Sequence, residues 1–175
     1  MGTFNQDFAI RHVAFRGHIA TLTAGTIAFP CRIGPAGITF DKCEGDGATP
    51  AGHWPMRFVM YRSDRVTRPL TGLPVTPVTP ESGWCDDPAS RDYNRPVQLP
   101  CPFSHERLWR EDHVYDIIVV LGHNDNPPVP GRGSAIFMHL SRPDGSATEG
   151  CIALAQSHLR FILSRCGPGS MLRID

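Results

Sequence analysis

Two residue types that can form a nucleophile and its base lie close together in the sequence 131–154. An apolar run leads into His139, and a loop of small and polar residues then ends in Gly150 and Cys151. A thiol becomes an effective nucleophile when an imidazole takes its proton. Gly150 permits close approach of a substrate, and the amides of Gly150 and Cys151 are predicted donors to an oxyanion. Spacing alone also allows a structural interpretation, because a cysteine between apolar residues is often a small core residue.

The elements that must position this pair are mostly β-strands. A hairpin is predicted where two β-prone runs flank the turn Ala24-Gly25. The run 114–122 is apolar with one charge, which is typical of a central strand covered on both faces. Near the end of the chain, helical spacing over 155–166 stops at the glycines and proline of 167–169. We therefore predict a mainly β fold of the β-rich α+β class, with further strands at 13–15, 18–23, 26–33, 38–40, 57–62, 134–138 and 171–174.

The segment 63–113 is the least regular part of the chain. Its many prolines exclude long helices and strands. It could link two domains, but it also carries Trp84, Tyr93 and Trp109, which a solvated linker would leave exposed. We interpret it as an ordered excursion of a single domain, 1–175, that packs on the fold and helps to form the wall of a groove.

Composition and charge argue against several classes of function. The 17 basic and 17 acidic residues cancel, which disfavours a nucleic acid or an anionic membrane held by bulk charge. Lys42 is the only lysine, so nearly all basic residues are arginines, which bind carboxylates well. No run is long and apolar enough to span a bilayer, and no classical signal peptide is visible. The six cysteines include no C-x-x-C pair, so we predict mostly reduced thiols and no metal site.

Two short motifs, Thr49-Pro50-Ala51-Gly52 and Thr148-Glu149-Gly150-Cys151, lie on either side of His139. The chain resembles the YkuD-type catalytic domain of L,D-transpeptidases, the cysteine enzymes that crosslink bacterial peptidoglycan. That family carries a Thr-Pro-x-Gly turn, then a histidine at the end of a strand, then a Ser/Thr-x-Gly-Cys signature. The motifs occur here in the same order, and the resemblance implies a sandwich of mixed β-sheets.

The resemblance also implies a mechanism. Cys151, activated by His139, would attack the carbonyl of a tetrapeptide stem beside diaminopimelate and release D-alanine, and an amine of a second stem would resolve the thioester. The implied partners are peptidoglycan stems as donor and acceptor, no cofactor is implied, and the thiol is an implied target of carbapenems. A backbone carbonyl orients the histidine in many members of the family, and Ser134, Ser141 and His123 are further candidates for that role.

Two positions depart from the family's pattern. Glu149 stands where histidine or serine is common before Gly-Cys, and Ala153 stands where arginine or asparagine is common. Arg132 or Arg142 could supply a cation for a stem carboxylate instead. The turn 122–124 is similar to that of a compact proteobacterial branch, some members of which make 1,3-type crosslinks instead of the usual 3,3-type. The predicted substrate-binding residues are therefore His123, Asn124, Arg132, Arg142, Ser134, Thr148 and Glu149.

Three other functions fit parts of the same pattern. Water and an acceptor amine compete for one thioester, so an L,D-carboxypeptidase or hydrolase is an alternative. A second alternative is a module that binds muropeptides without turnover, although both His139 and Cys151 are retained. A papain-like or NlpC/P60 hydrolase is the third, but those enzymes place the cysteine before the histidine. The implied substrate favours the periplasm or cell envelope, the missing export signal leaves the cytoplasm open, and we expect a monomer.

Overall fold

The computed structural model describes residues 8–12 and 17–175, so the strand predicted at 13–15 lies outside the described residues. Strands dominate this part of the chain, and its one helix follows the second motif. The mainly β class predicted from the sequence is confirmed. The elements are β1 (Phe8–His12), β2 (Ile19–Ala24), β3 (Ile27–Arg32), β4 (Ile38–Thr39), β5 (Thr49–Pro50), β6 (Gly52–Tyr61), β7 (Val75–Pro77), β8 (Ser82–Cys85), β9 (Arg95–Gln98), β10 (His105–Arg107), β11 (Ile117–Leu121), β12 (Phe137–Leu140), β13 (Ile152–Leu154), α1 (Gln156–Leu163) and β14 (Met171–Ile174).

The largest sheet has nine strands in the order β11-β12-β13-β3-β2-β1-β14-β6-β7. It closes on itself because β6 pairs with β14 through 52–55 and with β11 through 56–61. Most neighbours are antiparallel, but β12–β13, β1–β14 and β6–β7 are parallel pairs. Two halves of one mixed sheet therefore face each other across a core, in the sandwich-like arrangement that the family resemblance implies.

Three local patterns of the sequence have the expected structure. The hairpin β2–β3 turns after Ala24 and pairs antiparallel. All five residues of β11 are buried, with alternate side chains in two different apolar clusters, so this strand is central and covered on both faces. The helix α1 lies within the predicted 155–166 and buries Leu159, Ile162 and Leu163. Each pattern depends on short-range periodicity, which the folded chain preserves.

The first residues of β6 differ from the sequence-based prediction. Dense glycines and prolines in 44–56 predict a structured loop, which the predicted strand 57–62 would leave. The structure begins the strand at Gly52, and its first four residues pair with β14 near the other end of the chain. A long-range partner thus extends the strand beyond what local composition indicates.

Burial divides the main sheet between two apolar clusters. The larger one, the main core, combines one face of the sheet with the buried side of α1 and includes Met138, Leu140, Ile152, Leu154 and Leu159. The smaller one, the second cluster, includes Trp84, Tyr115, Ile118, Phe137 and Cys151. Successive side chains of a strand point to opposite faces, so β12 contributes to both clusters.

The proline-rich segment 63–113 contains β7 and a separate three-stranded sheet in the order β10-β8-β9. Trp84 of β8 packs edge-on against Phe137 of β12, with ring centroids 5.0 Å apart. This small sheet therefore covers the second cluster, on the face of the main sheet away from α1. In the described part of the chain, no helix has the length and apolar character needed to cross a membrane.

Candidate active site

The parallel pairing of β12 and β13 brings the two predicted catalytic residues to one place. The register sets His139 opposite Ala153, so Cys151, two residues before Ala153, lies at the start of the strand pair. Side chains two residues apart on a strand share a face. His139 and Cys151 are therefore diagonal neighbours on one face of the sheet, and both line a cavity of about 590 Å³.

Two backbone groups, one just before β12 and one at its start, form hydrogen bonds with the thiol of Cys151. Sγ donates to the carbonyl of Ala135 at 3.1 Å and accepts the amide N–H of Phe137 at 3.3 Å. The residue is 8% exposed. Burial raises the pKa of the thiol to about 12, and the negative charge of Glu106 adds to the increase. The free protein therefore carries Cys151 as a neutral thiol at pH 7.

A backbone carbonyl orients the ring of His139. Its Nδ1 lies 2.9 Å from the carbonyl oxygen of Leu140, and because a carbonyl only accepts, Nδ1 carries the proton and Nε2 is the free base. The ring of Tyr115 packs on the imidazole with centroids 5.3 Å apart. Burial, together with the charges of Arg142 and Arg110, lowers the pKa of His139 to about 4.

The two pKa values describe a resting pair without separated charges. An imidazole with a pKa of about 4 cannot hold the proton of a thiol with a pKa of about 12. The resting pair is therefore not a stable thiolate–imidazolium pair, and this geometry suits an imidazole that would take the thiol proton as a general base during an attack. In this resting state the Sγ–H group of Cys151 is bonded to the Ala135 carbonyl and not to His139.

The upstream motif supports the loop that carries the nucleophile. The hydroxyl of Thr49 donates to the carbonyl of Gly150 at 2.9 Å and accepts the amide of Gly34 at 3.0 Å. Gly150 has a φ of +131°, and an added Cβ there would lie 2.7 Å from the carbonyl oxygen of Ala48. Only glycine fits both the conformation and this close approach. The two motifs are thus parts of one contact, although they lie far apart in the sequence.

Thr148 organises the turn before the nucleophile. Its hydroxyl donates to the carbonyl of Cys151 at 2.7 Å and accepts the amide N–H of Gly150 at 3.2 Å. The Gly150 amide, one of the two predicted oxyanion donors, is therefore occupied by a side chain of the same turn. The predicted role of the Cys151 amide remains compatible with this geometry.

The model of the L,D-transpeptidase catalytic domain family, YkuD, matches residues 19–174. The chain belongs to the YkuD family. The matched region contains both motifs and every strand from β2 to β14, so the resemblance inferred from the motifs is confirmed. No curated protein and no solved structure matches the chain significantly.

Charges of both signs line the cavity of this YkuD domain. The carboxylates are those of Glu44, Asp86, Glu106 and Glu149, and the cations are Arg110 and Arg142. Burial raises the pKa of Glu106, with the charges of Glu149 and Asp86 contributing, while the hydroxyl of Tyr115 donates to Glu106 at 2.6 Å. Among the described residues, no group of three or more His, Cys, Asp or Glu side chains is arranged to hold a metal ion. All six cysteines are free thiols.

The predicted substrate-binding residues of the YkuD domain separate into two groups. Ser134, Arg142, Thr148 and Glu149 line the cavity with Cys151 and His139. His123, Asn124 and Arg132 instead line a second cavity of about 290 Å³, beside Phe40 and Trp54. The imidazole of His123 bonds the carbonyl of Arg132 at 3.0 Å, so it does not orient His139. Sequence spacing could not show this division, because it does not reveal which cavity the turn at 122–124 faces.

Sequence reasoning missed the buried amide of Asn94. Its Oδ1 accepts from the Trp84 indole and from the amide of Ala135, both at 3.0 Å. Its Nδ2 donates to the carbonyls of His123 and Asn124 at 3.0 and 2.8 Å. Asn94 therefore ties the proline-rich segment to Ala135, whose carbonyl accepts the catalytic thiol. A single asparagine among prolines carries no sequence signal for this role.

Proposed function

We propose that this protein is a cysteine L,D-transpeptidase that joins peptidoglycan stem peptides through a thioester on Cys151. The observation that carries the proposal is that Cys151 and His139 project from neighbouring parallel strands into one cavity, with Nδ1 of His139 tied to the Leu140 carbonyl. Membership of the YkuD family supplies the substrate class.

The chemistry follows from the neutral pair. As Sγ of Cys151 attacks the donor carbonyl, its proton passes to Nε2 of His139, and a tetrahedral intermediate forms with negative charge on oxygen. The carbon–nitrogen bond to the leaving D-alanine then breaks, and the imidazolium returns the proton to that amine. A thioester remains on Cys151.

The second half of the reaction reverses the proton path. The acceptor amine attacks the thioester carbonyl, Nε2 takes the proton that the amine loses, and the sulfur leaves as the new amide forms. The proton then returns to the sulfur, which restores the resting thiol. No external oxidant, reductant or cofactor enters this balance.

The mixed charges of the cavity suit a stem that carries both ammonium and carboxylate groups. Arg110 and Arg142 supply positive charge to the cavity, and Glu106 and Glu149 supply negative charge. We propose that these groups orient donor and acceptor stems, which form 3,3-type or 1,3-type crosslinks. We propose that the protein acts in the periplasm or cell envelope, where a substrate of this kind occurs, and that it acts there as a monomer.

The test is to incubate the purified protein with a disaccharide-tetrapeptide that contains diaminopimelate and to analyse the products by mass spectrometry. Cys151→Ala is the inactive variant. Cys166→Ala is the matched control, because Cys166 is a fully buried thiol in the main core. We expect dimers with a new amide from the wild type and from Cys166→Ala, and none from Cys151→Ala. Fragmentation of the dimer identifies the donor residue and hence the crosslink type.

Each other set of products would contradict the proposal and identify a specific alternative function. Shortened monomers without dimers would identify a carboxypeptidase on the same site. Unchanged substrate, together with measurable binding, would identify a non-catalytic muropeptide module. A carbapenem that acylates Cys151 in the wild type would show that the thiol is accessible and reactive, whichever product forms.

A further inference from the structure

The only lysine of the chain lies beside the nucleophile's loop. Lys42 is 6% exposed, which is rare for a lysine. A Cβ added at Gly150 would lie 3.4 Å from its Nζ, and a Cβ added at Gly133 would lie 2.8 Å from its Cγ. The ammonium is therefore fixed next to the residue that precedes Cys151.

A tight loop holds this ammonium in place. The carboxylate of Asp46 accepts a hydrogen bond from Nζ of Lys42. It also accepts hydrogen bonds from the backbone amides of Cys43 and Ala48, and both of these amide bonds are 2.8 Å long. Burial opposes ionisation of Asp46, but these hydrogen bonds from the two amides and Lys42 lower its pKa overall. Ala48, at the end of this loop, is the residue whose carbonyl faces Gly150. The loop 42–48 thus joins the lysine to the backbone of the catalytic turn.

Most of the charge around Cys151 disfavours a thiolate. Burial and the carboxylates of Glu106 and Glu149 raise the pKa of the thiol, whereas the charge of Lys42 lowers it. Burial raises the pKa of Tyr115, and a negative charge on the sulfur of Cys151 adds to this increase. The titratable and charged groups that face the nucleophile's cavity from the surrounding elements are Glu44, Asp86, Glu106, Arg110, Tyr115, His139, Arg142 and Glu149.

We propose that Lys42 is a positioning residue for the nucleophile: its buried ammonium, held against Gly150 by the loop 42–48, stabilises the thiolate of Cys151 as the sulfur loses its proton. This role rests on the proposed function, in which that sulfur attacks a stem carbonyl. Coulomb interactions in a partly desolvated site are stronger than in water, so one fixed cation beside the turn offsets part of the opposing field. Burial and packing of the Lys42 stem beside Gly133 keep the ammonium there, whereas the negative charge of Asp46 opposes its effect on the sulfur.

The competing explanation is that Lys42 and Asp46 form an ion pair with a structural role only. The two explanations predict different effects of removing each charge on the rate of thiolate formation. Lys42→Met removes a positive charge at nearly constant volume, and Asp46→Asn removes a negative charge from the same pair. If the pair were only structural, both variants would change the site alike, whereas an electrostatic role predicts that only the loss of Lys42 slows thiolate formation.

The experiment measures alkylation of Cys151 by iodoacetamide between pH 6 and 10 in the wild type and both variants, with peptide mass spectrometry to assign the site. The half-buried Cys101 is the internal reference. We expect Lys42→Met to react about three- to tenfold more slowly at Cys151, as a rise of one pKa unit would give. Asp46→Asn should react as fast as the wild type or faster.

Wild-type rates in Lys42→Met, or equal slowing in both variants, would overturn the role of Lys42. Alkylation does not require a peptide substrate, so it separates the two proposals. If the wild type forms no crosslinks but Lys42→Met still slows alkylation, the proposed function fails and the role of Lys42 stands. If crosslinks form and alkylation is unchanged in Lys42→Met, the role of Lys42 fails and the function stands. If Lys42→Met does not fold, a slower rate in Asp46→Asn alone contradicts the proposal.

Discussion

The two faces of the strand pair β12–β13 share one backbone but differ in role: one face packs in the core, and the other lines a cavity. On one face, Met138, Leu140, Ile152 and Leu154 are apolar and packed in the main core with α1. On the other face, the candidate catalytic groups His139 and Cys151 border a charged cavity. The rigid face fixes the strands, and the strands fix the angle and spacing of the reactive side chains. This separation lets the chemistry vary without a change in the core.

The comparison also explains why the reactive pair is neutral. The cavity face is covered by the small sheet of the segment 63–113, through contacts such as Trp84 on Phe137. That cover removes water from His139 and Cys151, and desolvation disfavours the charged forms of both groups. The cover on the cavity face thus sets the protonation state of its side chains, while the main core packs the other face.

The largest expected effect is the loss of acyl transfer on removal of the base. His139→Gln should reduce the rate of dimer formation by about 10²- to 10⁴-fold, because general-base catalysis contributes that much. Initial rates by mass spectrometry check this. His158→Gln, a histidine of α1 that packs on Phe29, should stay within about threefold of the wild type, and an equal loss in both variants would contradict the assignment of His139.

On the opposite face, Leu154→Ala should act on stability instead of chemistry. Leu154 is fully buried in the main core, and a truncation of this kind costs about 2–5 kcal/mol of unfolding free energy. Urea denaturation measures the loss. At a temperature where the variant is folded, its rate per folded molecule should be close to that of the wild type. A large fall in that rate would show that the two faces are not independent.

The low pKa of His139 should make the free energy of unfolding fall at acid pH. The pKa of this histidine is about 4 in the folded protein and about 6.5 in an unfolded chain. Between these values the unfolded chain binds a proton that the native protein does not, so stability falls as the pH falls from 6.5 to 4, by roughly 3 kcal/mol in total. Denaturation at a series of pH values checks this. His139→Gln should show a smaller slope across the window, and an identical slope would contradict the low pKa.

The smallest effect concerns the contact between the two motifs. Thr49→Val leaves the Gly150 carbonyl and the Gly34 amide without their buried partner, which costs about 1–3 kcal/mol. Thr49→Ser keeps the hydroxyl and is the matched control. Thermal melts compare the variants, and the rate of dimer formation shows whether the turn of Cys151 is displaced. Equal stability of the two variants would show that the hydroxyl contributes nothing.

Short-range patterns in the sequence predicted much of the scaffold. The hairpin β2–β3, the buried strand β11 and the helix α1 each depend on periodicity or turn residues within one segment. The early start of β6 at Gly52 was missed because its partner β14 lies more than a hundred residues away. Local propensity cannot report such a partner.

The candidate site shows the same limit. The family resemblance carried by the two motifs predicted that Cys151 and His139 work together, and this assignment stays a prediction. The sequence could not show that His123 and Arg132 belong to another cavity, or that Leu140 supplies the carbonyl for His139. It also gave no signal for Asn94 or for the buried position of Lys42, because both depend on how separate segments meet.

The hydrogen bond from Thr49 to the Gly150 carbonyl spans 101 positions of the chain. Closing so long a loop costs entropy before any contact repays it, and folds dominated by such contacts form slowly. The strand pair β1–β14 and the contact of Asn94 with Ala135 add further long-range constraints. We therefore expect the turn before Cys151 to be among the last parts of the described fold to form. A partly folded chain would carry Cys151 without this turn, so acyl transfer under the proposed function would report on completed folding.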